Sequence, residues 1–254
     1  MIQNKIQTNK IRLNKYLAHL GVASRRAVDE LITLGKISLN GKVVTQLGTK
    51  VIPDKDEIVV GNRKIKNALE KLVYIILNKP KGVVSTSKDT FGNTTVLDLV
   101  KSSTRLYPVG RLDQDSHGLI LLTNDGDLTL KLTHPRFHIY KIYLVTILGF
   151  VPDSKVSLLR NGVLLDDGKT APAKVTIVRQ GPRQTVLEIT LWEGRKRQIR
   201  RMCAELHLHL TDLQRIAIGP LTLGDLKIGK WRNLLDSEIS ALKKIKQVKN
   251  VKRG

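Results

Sequence analysis

The chain contains little of several residue types, and each shortage excludes a class of protein. Its 254 residues include one cysteine, so an intramolecular disulfide and a cysteine-rich zinc site are both excluded. No apolar stretch is long enough to span a bilayer, and residues 1–14 lack the apolar core of a signal peptide. These features predict a soluble cytoplasmic protein that does not contact membranes.

Acidic residues are scarce as well. The chain has 22 Asp and Glu against 44 Lys and Arg, which gives a formal charge of +22 at pH 7. Hydrophobic residues make up 41% of the chain, enough for a folded core. In a folded protein, such a basic excess indicates a polyanionic partner, most often nucleic acid.

The first sixty residues predict a small module of two helices and a hairpin. Leucines recur at helical spacing over residues 11–20, and Ser24 is placed to cap a second helix that ends near Leu34. Asn40-Gly41 predicts a type I′ hairpin turn. Arg25 and Arg26 open the second helix, where the helix dipole favours acids, and this placement is more favourable if phosphate neutralises them.

This module resembles the small RNA-binding domain named after ribosomal protein S4. The matching residues are Arg12-Leu13-Asn14, Leu17, Gly21, Ser24-Arg25-Arg26, Ala27, Leu31-Ile32, Gly35, Ile37 and Leu39-Asn40-Gly41. The resemblance covers residues 11–60. It implies contacts with RNA phosphates by Arg12, Arg25, Arg26 and Lys42, and solvated surface charge remains the alternative for each.

The order of predicted elements favours an α+β fold. We predict a helical and hairpin RNA-binding domain at residues 10–60, a linker at 61–72, a larger domain at 73–237 and a basic tail at 238–254. Strands and helices alternate irregularly in the larger domain, which predicts a mixed, mainly antiparallel sheet with flanking helices. Residues 95–100 predict a short helix within it. The tail has six basic residues and no acid from residue 241 onward.

Three segments of the larger domain carry candidate chemistry. Asp113 lies on a loop that leads into an apolar run at residues 118–122, so its carboxylate is held rigidly and can face a cleft. Lys141 and Tyr143 alternate onto one face of a predicted strand. Residues 195–201 contain five basic side chains. Each segment has an alternative interpretation. Asp113 could simply cap a turn, Tyr143 could belong to the core, and the basic residues could form only a phosphate-binding patch.

Helical spacing predicts how the basic side chains of the third segment are arranged. Residues four apart lie on the same face of a helix, so we expect Arg197 and Arg201 together and Arg200 on another face.

The larger domain resembles the bacterial ribosomal-RNA pseudouridine synthase family, in the branch with an N-terminal S4-type domain and nearer to the large-subunit enzymes. The matching strings are LNKPKGVVST (77–86), RLYPVGRLDQD (105–115), GLILLTNDGDL (118–128), KIY (141–143), GRKRQIRRM (194–202) and RIAIGPLTLGDLKIGKWR (215–232). They cover residues 73–235. Ser116-His117 departs from the family, where threonine and another residue are more usual.

The resemblance implies isomerisation of a uridine in ribosomal RNA to pseudouridine. Asp113 would be the catalytic carboxylate, acting on either the ribose or the base, and a carboxylate suits the positive character that the ribose develops. Tyr143 would stack on the flipped uracil. Arg200 would pair with Asp113 and keep it ionised. Further substrate or RNA contacts are implied for Ile199, Arg111, Arg197, Arg201 and Lys141.

No metal and no cofactor are predicted. Asp113-x-Asp115 lacks the closing glutamate of a calcium loop, His207-x-His209 has no third ligand nearby, and the reaction is redox-neutral. The expected partner is ribosomal RNA, free or in an assembling subunit, and the expected state is a monomer. The alternative function is a non-catalytic assembly factor that binds ribosomal RNA.

Overall fold

A computed structural model of the chain describes residues 10–53, 55–66, 70–87 and 89–246. The chain divides into two compact units between Leu72 and Val73. Among the described residues, no helix is both long and apolar enough to cross a bilayer. The predicted tail lies outside the described residues from position 247 onward.

The first unit contains two helices, two short strand pairings and a hairpin. The helices are α1 (Leu13–His19) and α2 (Arg25–Thr33), and the strands are β1 (Ile11–Arg12), β2 (Ile37–Leu39), β3 (Lys42–Val44), β4 (Lys50–Val51), β5 (Ile58–Val60) and β6 (Arg63–Lys64). β1 pairs with β4, and the order of the other sheet is β3-β2-β5-β6. The Ser24 side chain accepts a hydrogen bond from Ala27 N at 3.1 Å, so the predicted helix cap is confirmed.

Strand pairing in this unit continues beyond residue 60. Arg63 and Lys64 form β6 and pair with Val60 and Val59 of β5. The segment that we predicted as the start of a linker therefore belongs in part to the sheet. Its few apolar residues concealed this strand, because edge strands this short carry almost no alternation.

The second unit is built on one nine-stranded sheet. Its main path is β13-β14-β10-β15-β9-β7-β17, with β16 beside β15 and β8 beside β9. The strands are β7 (Tyr74–Lys79), β8 (Tyr107–Pro108), β9 (His117–Thr123), β10 (Lys141–Leu148), β13 (Lys174–Gln180), β14 (Gln184–Leu191), β15 (Leu210–Ile218), β16 (Leu221–Thr222) and β17 (Trp231–Asn233), and the separate hairpin is β11 (Leu164–Leu165) and β12 (Gly168–Lys169). Pairing is antiparallel except between β15 and β9. The predicted mixed, mainly antiparallel α+β fold is confirmed.

Helices flank this sheet. They are α3 (Gly126–Thr133), α4 (Asp153–Asn161), α5 (Gln198–Glu205) and α6 (Asp236–Lys243), with a 3-10 turn at Pro135–Phe137. Leu242 of α6 is fully buried, in a cluster that also contains Leu121 of β9. The boundary that we predicted at residue 237 therefore cuts through a packed helix, and the segment predicted as tail begins as part of the fold.

The helix that we predicted over residues 95–100 is wrong. The structure has turns there, with hydrogen bonds from Asp98 N to Thr95 O and from Val100 N to Leu97 O. The Asp98 carboxylate accepts hydrogen bonds from Thr95 N at 2.7 Å and from Thr95 Oγ1 at 2.9 Å. This side-chain bond closes the turn locally and competes with a helical continuation.

The parallel pairing of β9 with β15 depends on Gly118. Every residue of β9 is buried, and Gly118 lies opposite Arg215 with φ of +109°. A Cβ at this position would lie 2.3 Å from the Arg215 carbonyl oxygen and 2.7 Å from its nitrogen. Both the backbone conformation and the available space therefore require glycine.

Gly118→Ala should lower the free energy of unfolding by about 2–4 kcal/mol, since the strain of positive φ adds to overpacking. Gly168→Ala is the matched control, because Gly168 has φ of +99° and a Cβ added there would meet no atom within 4 Å. Chemical denaturation of both variants would separate clash from backbone strain. Equal losses would show that the close approach to Arg215 costs nothing.

Candidate active site

A buried lysine fixes the loop that carries Asp113. The Lys79 side chain is at the end of β7 with an exposure of 0%. Its Nζ atom donates to the carbonyl oxygens of Ser116 at 2.7 Å, Pro80 at 3.0 Å and Asp113 at 3.1 Å. With Gln114 O at 3.5 Å, four backbone acceptors converge on one ammonium group, which holds the loop between β8 and β9 against the sheet.

The charge of this lysine is tuned by its surroundings. Burial lowers the pKa of Lys79 to about 8, while the carboxylates of Asp113 and Asp115 act in the opposite direction. Arg215 adds a second buried cation to the same loop. Its Nε atom donates to Leu119 O at 2.8 Å, and Nη1 donates to Arg111 O at 3.2 Å.

Asp113 faces a cavity of about 370 Å³, a volume in the range of small-molecule sites. The side chain of Asp113 is 33% exposed. Strand β10 contributes Lys141 and Tyr143 to the wall, and the wall also includes Arg111, Arg197, Ile199 and Arg215. The structure therefore brings the predicted carboxylate, the predicted stacking ring and the predicted apolar residue into one cavity.

Arg197 is the cation nearest to the Asp113 carboxylate among the ion pairs of the described chain. Its Nη1 atom lies 3.8 Å from Asp113 Oδ2, and it forms a two-pronged pair with Asp115 at 3.1 and 2.9 Å. Arg197 has a left-handed backbone with φ of 50° and occupies the N-cap position of α5. This backbone conformation directs the Arg197 side chain toward the loop that carries Asp113.

Arg200 lies beside Asp115 and not beside Asp113. Its Nη2 atom donates to Asp115 O at 3.0 Å and to Ser116 Oγ at 3.1 Å, and its Nε atom lies 3.3 Å from Asp115 Oδ2. The ion pair that we predicted between Arg200 and Asp113 is thus absent from this structure, where both residues are described. Arg197 and Arg200 together lower the pKa of Asp115, with the hydrogen bonds from Arg197 as the largest cause.

The prediction that Arg197 and Arg201 share one helix face is wrong. Helical spacing does not apply to Arg197, because it precedes the helix in a left-handed conformation. Arg201 points to the β11–β12 hairpin, where it pairs with Asp166 at 2.5 Å and with Asp167 at 3.0 Å. The charge of Arg201 is therefore balanced within the protein by two carboxylates.

Asp115 and Asp113 differ in how their oxygens are used. The Asp115 carboxylate accepts two hydrogen bonds from Arg197, and the Arg200 Nε atom lies 3.3 Å from its Oδ2 atom. The Asp113 carboxylate accepts no hydrogen bond within the described part of the chain, and its nearest cation stands at 3.8 Å. A carboxylate with free oxygens, beside a positive charge and facing a cavity, is chemically suited to act on an electrophilic carbon.

The sequence patterns did not reveal Lys79 and Arg215. Lys79 ends a strand whose six residues are all buried, so a cation inside an apolar run was the available indication. Arg215 alternates with apolar residues along β15 and carries no comparable mark. The basic residues predicted in the first unit, namely Arg12, Arg25, Arg26 and Lys42, are all exposed.

Comparison with known proteins identifies the family of each unit. Residues 73–205 match the family model for RNA pseudouridylate synthase, and residues 11–58 match the S4 domain. The chain is 42% identical over 235 residues to ribosomal large subunit pseudouridine synthase B of Bacillus subtilis, with 91% of this chain and 95% of the relative covered.

Two further proteins extend the likeness. An RNA pseudouridine synthase of Aquifex aeolicus is 40% identical over 246 residues, covering 96% of this chain and 98% of the relative. A crystal structure of a pseudouridylate synthase has a TM-score of 0.66 and 31% identity, covering 91% of this chain and 99% of that one. The chain therefore belongs to the RNA pseudouridylate synthase family and carries an S4 domain at its N-terminal end.

Proposed function

We propose that this protein converts a specific uridine of large-subunit ribosomal RNA into pseudouridine, with Asp113 as the catalytic carboxylate. The observation that carries the proposal is the placement of Asp113 and Tyr143 on the wall of one cavity. The name of the Bacillus subtilis relative, a ribosomal large subunit enzyme, supports the choice of substrate. The net charge of +22 fits an RNA partner.

The chemistry exchanges one bond of the ribose for another. The bond from C1′ of the ribose to N1 of uracil breaks, the base turns, and C1′ bonds to C5, which releases its hydrogen. Asp113 acts either on C1′, where positive charge develops, or on the electrophilic carbon of the base. Because the detached base must not diffuse away, the reaction needs an enclosed site such as this cavity.

The remaining wall residues hold the base and the loop. Tyr143 presents an aromatic ring on which a flipped uracil can stack, and Ile199, which is 4% exposed, offers an apolar surface in the same cavity. Arg197 supplies positive charge near Asp113. Arg200 acts indirectly, because it holds Asp115 and Ser116 of the loop that carries Asp113.

Tritium release tests this function directly. Ribosomal RNA labelled with tritium at C5 of uridine should lose label to water in the presence of the protein, since the new bond forms at C5. We expect release from large-subunit RNA of cells that lack this protein and none from their small-subunit RNA. Tight binding of RNA without release from either subunit would reject the enzyme and favour a binding factor.

The exposed arginines at the start of α2 should account for part of the RNA affinity. α2 has no acidic residue in its first turn, so Arg25 and Arg26 face an unfavourable helix dipole without a local counter-charge. Replacing both by glutamine should reduce the slope of log affinity against log salt by about 1.5, since each phosphate contact contributes roughly 0.7–0.9. Filter binding at several salt concentrations measures this slope.

The control removes the same charge from the second unit, with glutamine at the exposed Lys101 and Lys174. That variant should change the slope less. An unchanged slope in the double arginine variant would identify Arg25 and Arg26 as ordinary surface charges.

A further inference from the structure

Lys141 and Arg215 are the cations of the cavity wall that are at least partly buried and have no carboxylate partner among the described residues. Lys141 donates only to the backbone, to Ile139 O at 3.1 Å. Arg215 is 2% exposed and also bonds only to carbonyl oxygens, at Leu119 and Arg111. The Nη2 atom of Arg215 is buried and has no hydrogen-bond partner within the described chain.

The remaining cations of the cavity wall are either paired or exposed, since Arg111 and Lys196 lie at the surface. Arg197 is neutralised by Asp115, and Arg195 lies 3.3 Å from Asp167. Lys141 and Arg215 thus carry two positive charges that have no ion-pair partner in the part of the chain that the structure describes, in a partly enclosed space. Burial lowers the pKa of Lys141 to about 8, and the charge of Arg215 acts in the same direction. Such an arrangement is unfavourable until a negative charge comes into direct contact with these two cations.

The reaction that we propose generates this negative charge. When the C1′–N1 bond breaks, its electron pair passes to N1 and is shared with the carbonyl oxygens O2 and O4, while C1′ becomes positive. If Asp113 instead adds to C6 of the base, the electron pair of the C5–C6 double bond moves toward C4 and O4. In both routes the carbonyl side of the uracil becomes negative, and no further reactant is required.

We propose that the Lys141 ammonium binds a carbonyl oxygen of the flipped uracil, and that Lys141 and Arg215 together stabilise the negative charge of the base. This inference rests on the proposed function. Lys141 is only partly buried and makes the direct contact, whereas Arg215 contributes through its charge. In the route through the ribose, Asp113 and these two cations would act at opposite ends of the breaking C1′–N1 bond, and in the route through C6 the cations would stabilise the charge that the addition creates.

The test uses full-length protein and a synthetic RNA with the mapped target uridine. Lys141→Met should lower the single-turnover rate by about 10²–10³-fold, the usual effect of removing one preorganised donor. Lys131→Met is the matched control, because Lys131 also donates to a carbonyl oxygen, at 3.2 Å, and lies outside the cavity wall. The control should retain the wild-type rate.

Sulfur substitution locates the contact. Sulfur accepts hydrogen bonds poorly, so 2-thiouridine or 4-thiouridine at the target should slow the wild type at the contacted carbonyl. In Lys141→Met the same substitution should cause no further loss. A second set of RNAs carries phosphorothioates at the phosphates next to the target uridine. If Lys141→Met removes the effect of a phosphorothioate and not that of a thiouridine, Lys141 binds a phosphate and the proposal is overturned.

The remaining outcomes also decide the question. If the thiouridine substitution and Lys141→Met lower the single-turnover rate independently, so that their effects multiply, the proposal is overturned. If circular dichroism shows that Lys141→Met is unfolded, Lys141→Arg takes its place. The wild type alone is decisive when neither thiouridine slows it, since no carbonyl contact then exists. Failure of the proposed function is distinct, because the wild type would then release no tritium from unmodified RNA.

Discussion

Asp113→Asn should lower the single-turnover rate of pseudouridine formation by about 10⁴-fold, the scale on which loss of an essential catalytic group acts. Asparagine has nearly the same shape as aspartate but cannot act as an anionic nucleophile or stabilise positive charge on the ribose. RNA affinity should change little, since phosphate contacts spread over the surface dominate binding. Tritium release and filter binding on the same RNA measure the two quantities.

Asp115→Asn is the matched comparison, because Asp115 is on the same loop but does not line the cavity. Its loss weakens the anchoring of Arg197 and Arg200 to the loop. We expect a smaller fall in rate, of about 10–100-fold, through misplacement of the loop. Equal rates for wild type and Asp113→Asn would remove Asp113 from the chemistry, whatever the second variant does.

The two carboxylates illustrate how neighbouring acids acquire different roles. Arg197 donates its hydrogen bonds to the Asp115 carboxylate, and Arg200 donates to Asp115 O and Ser116 Oγ, which leaves the oxygens of Asp113 available. If Arg197 turned fully to Asp113, the resulting pair would stabilise the carboxylate and reduce its reactivity. Asp115 therefore holds the guanidinium group of Arg197 at 3.8 Å from Asp113, close enough to act on it electrostatically.

Local patterns in the sequence predicted the local parts of this fold. Ser24 is a helix cap, and Asn40 and Gly41 have φ of 51° and 79°, as a type I′ turn requires. The apolar run at residues 118–122 is a strand buried on both faces. In each of these cases the energetic cause lies within a few residues, so the pattern alone is sufficient.

The parts that were missed depend on contacts between distant segments. Arg197 pairs with Asp115 across 82 positions of the chain, and its left-handed conformation has no mark in the residue order. The Lys79 ammonium group donates to carbonyl oxygens of Asp113 and Ser116, which are more than thirty residues away in the chain. The sequence therefore identified which segments meet at the site, but not which guanidinium lies beside which carboxylate.

Lys79→Met should reduce both stability and activity. Methionine fills similar space but leaves the carbonyl oxygens of Pro80, Asp113 and Ser116 without their donor. Since breaking a buried charged network by removing one partner is costly, we expect a loss of about 3–5 kcal/mol in the free energy of unfolding. The single-turnover rate should fall by about 10²-fold, because small displacements of catalytic groups have effects of this size.

Lys81→Met provides the control for this substitution. Lys81 is two residues away, its side chain is 51% exposed, and it pairs with Asp212 at the surface. Its loss should change the free energy of unfolding by less than about 1 kcal/mol. Urea denaturation at pH 7 compares the two variants. Similar small losses for both would show that the carbonyl oxygens around Lys79 find other partners.

The pH dependence separates stability from activity at Lys79. Its pKa is lowered to about 8, so the ammonium that holds the loop is present at neutral pH and is lost as pH rises through about 8. The unfolded chain keeps this proton up to the ordinary value of 10.5 and therefore binds more protons between these two values. The stability difference between wild type and Lys79→Met should consequently widen over this window, by at most about 1.4 kcal/mol per pH unit.

The turnover rate should fall as pH rises through this window, although the stability difference widens. A neutral Lys79 amine has one hydrogen-bond donor fewer for the loop that carries Asp113. Lys141 loses its proton in the same range, with a pKa of about 8, so the rate of Lys141→Met must be followed beside the wild type. A fall in rate above about pH 8 that persists in Lys141→Met, together with a widening stability difference, would assign the effect to Lys79. A stability difference that narrows with pH would show that the charged form of Lys79 is favoured by folding.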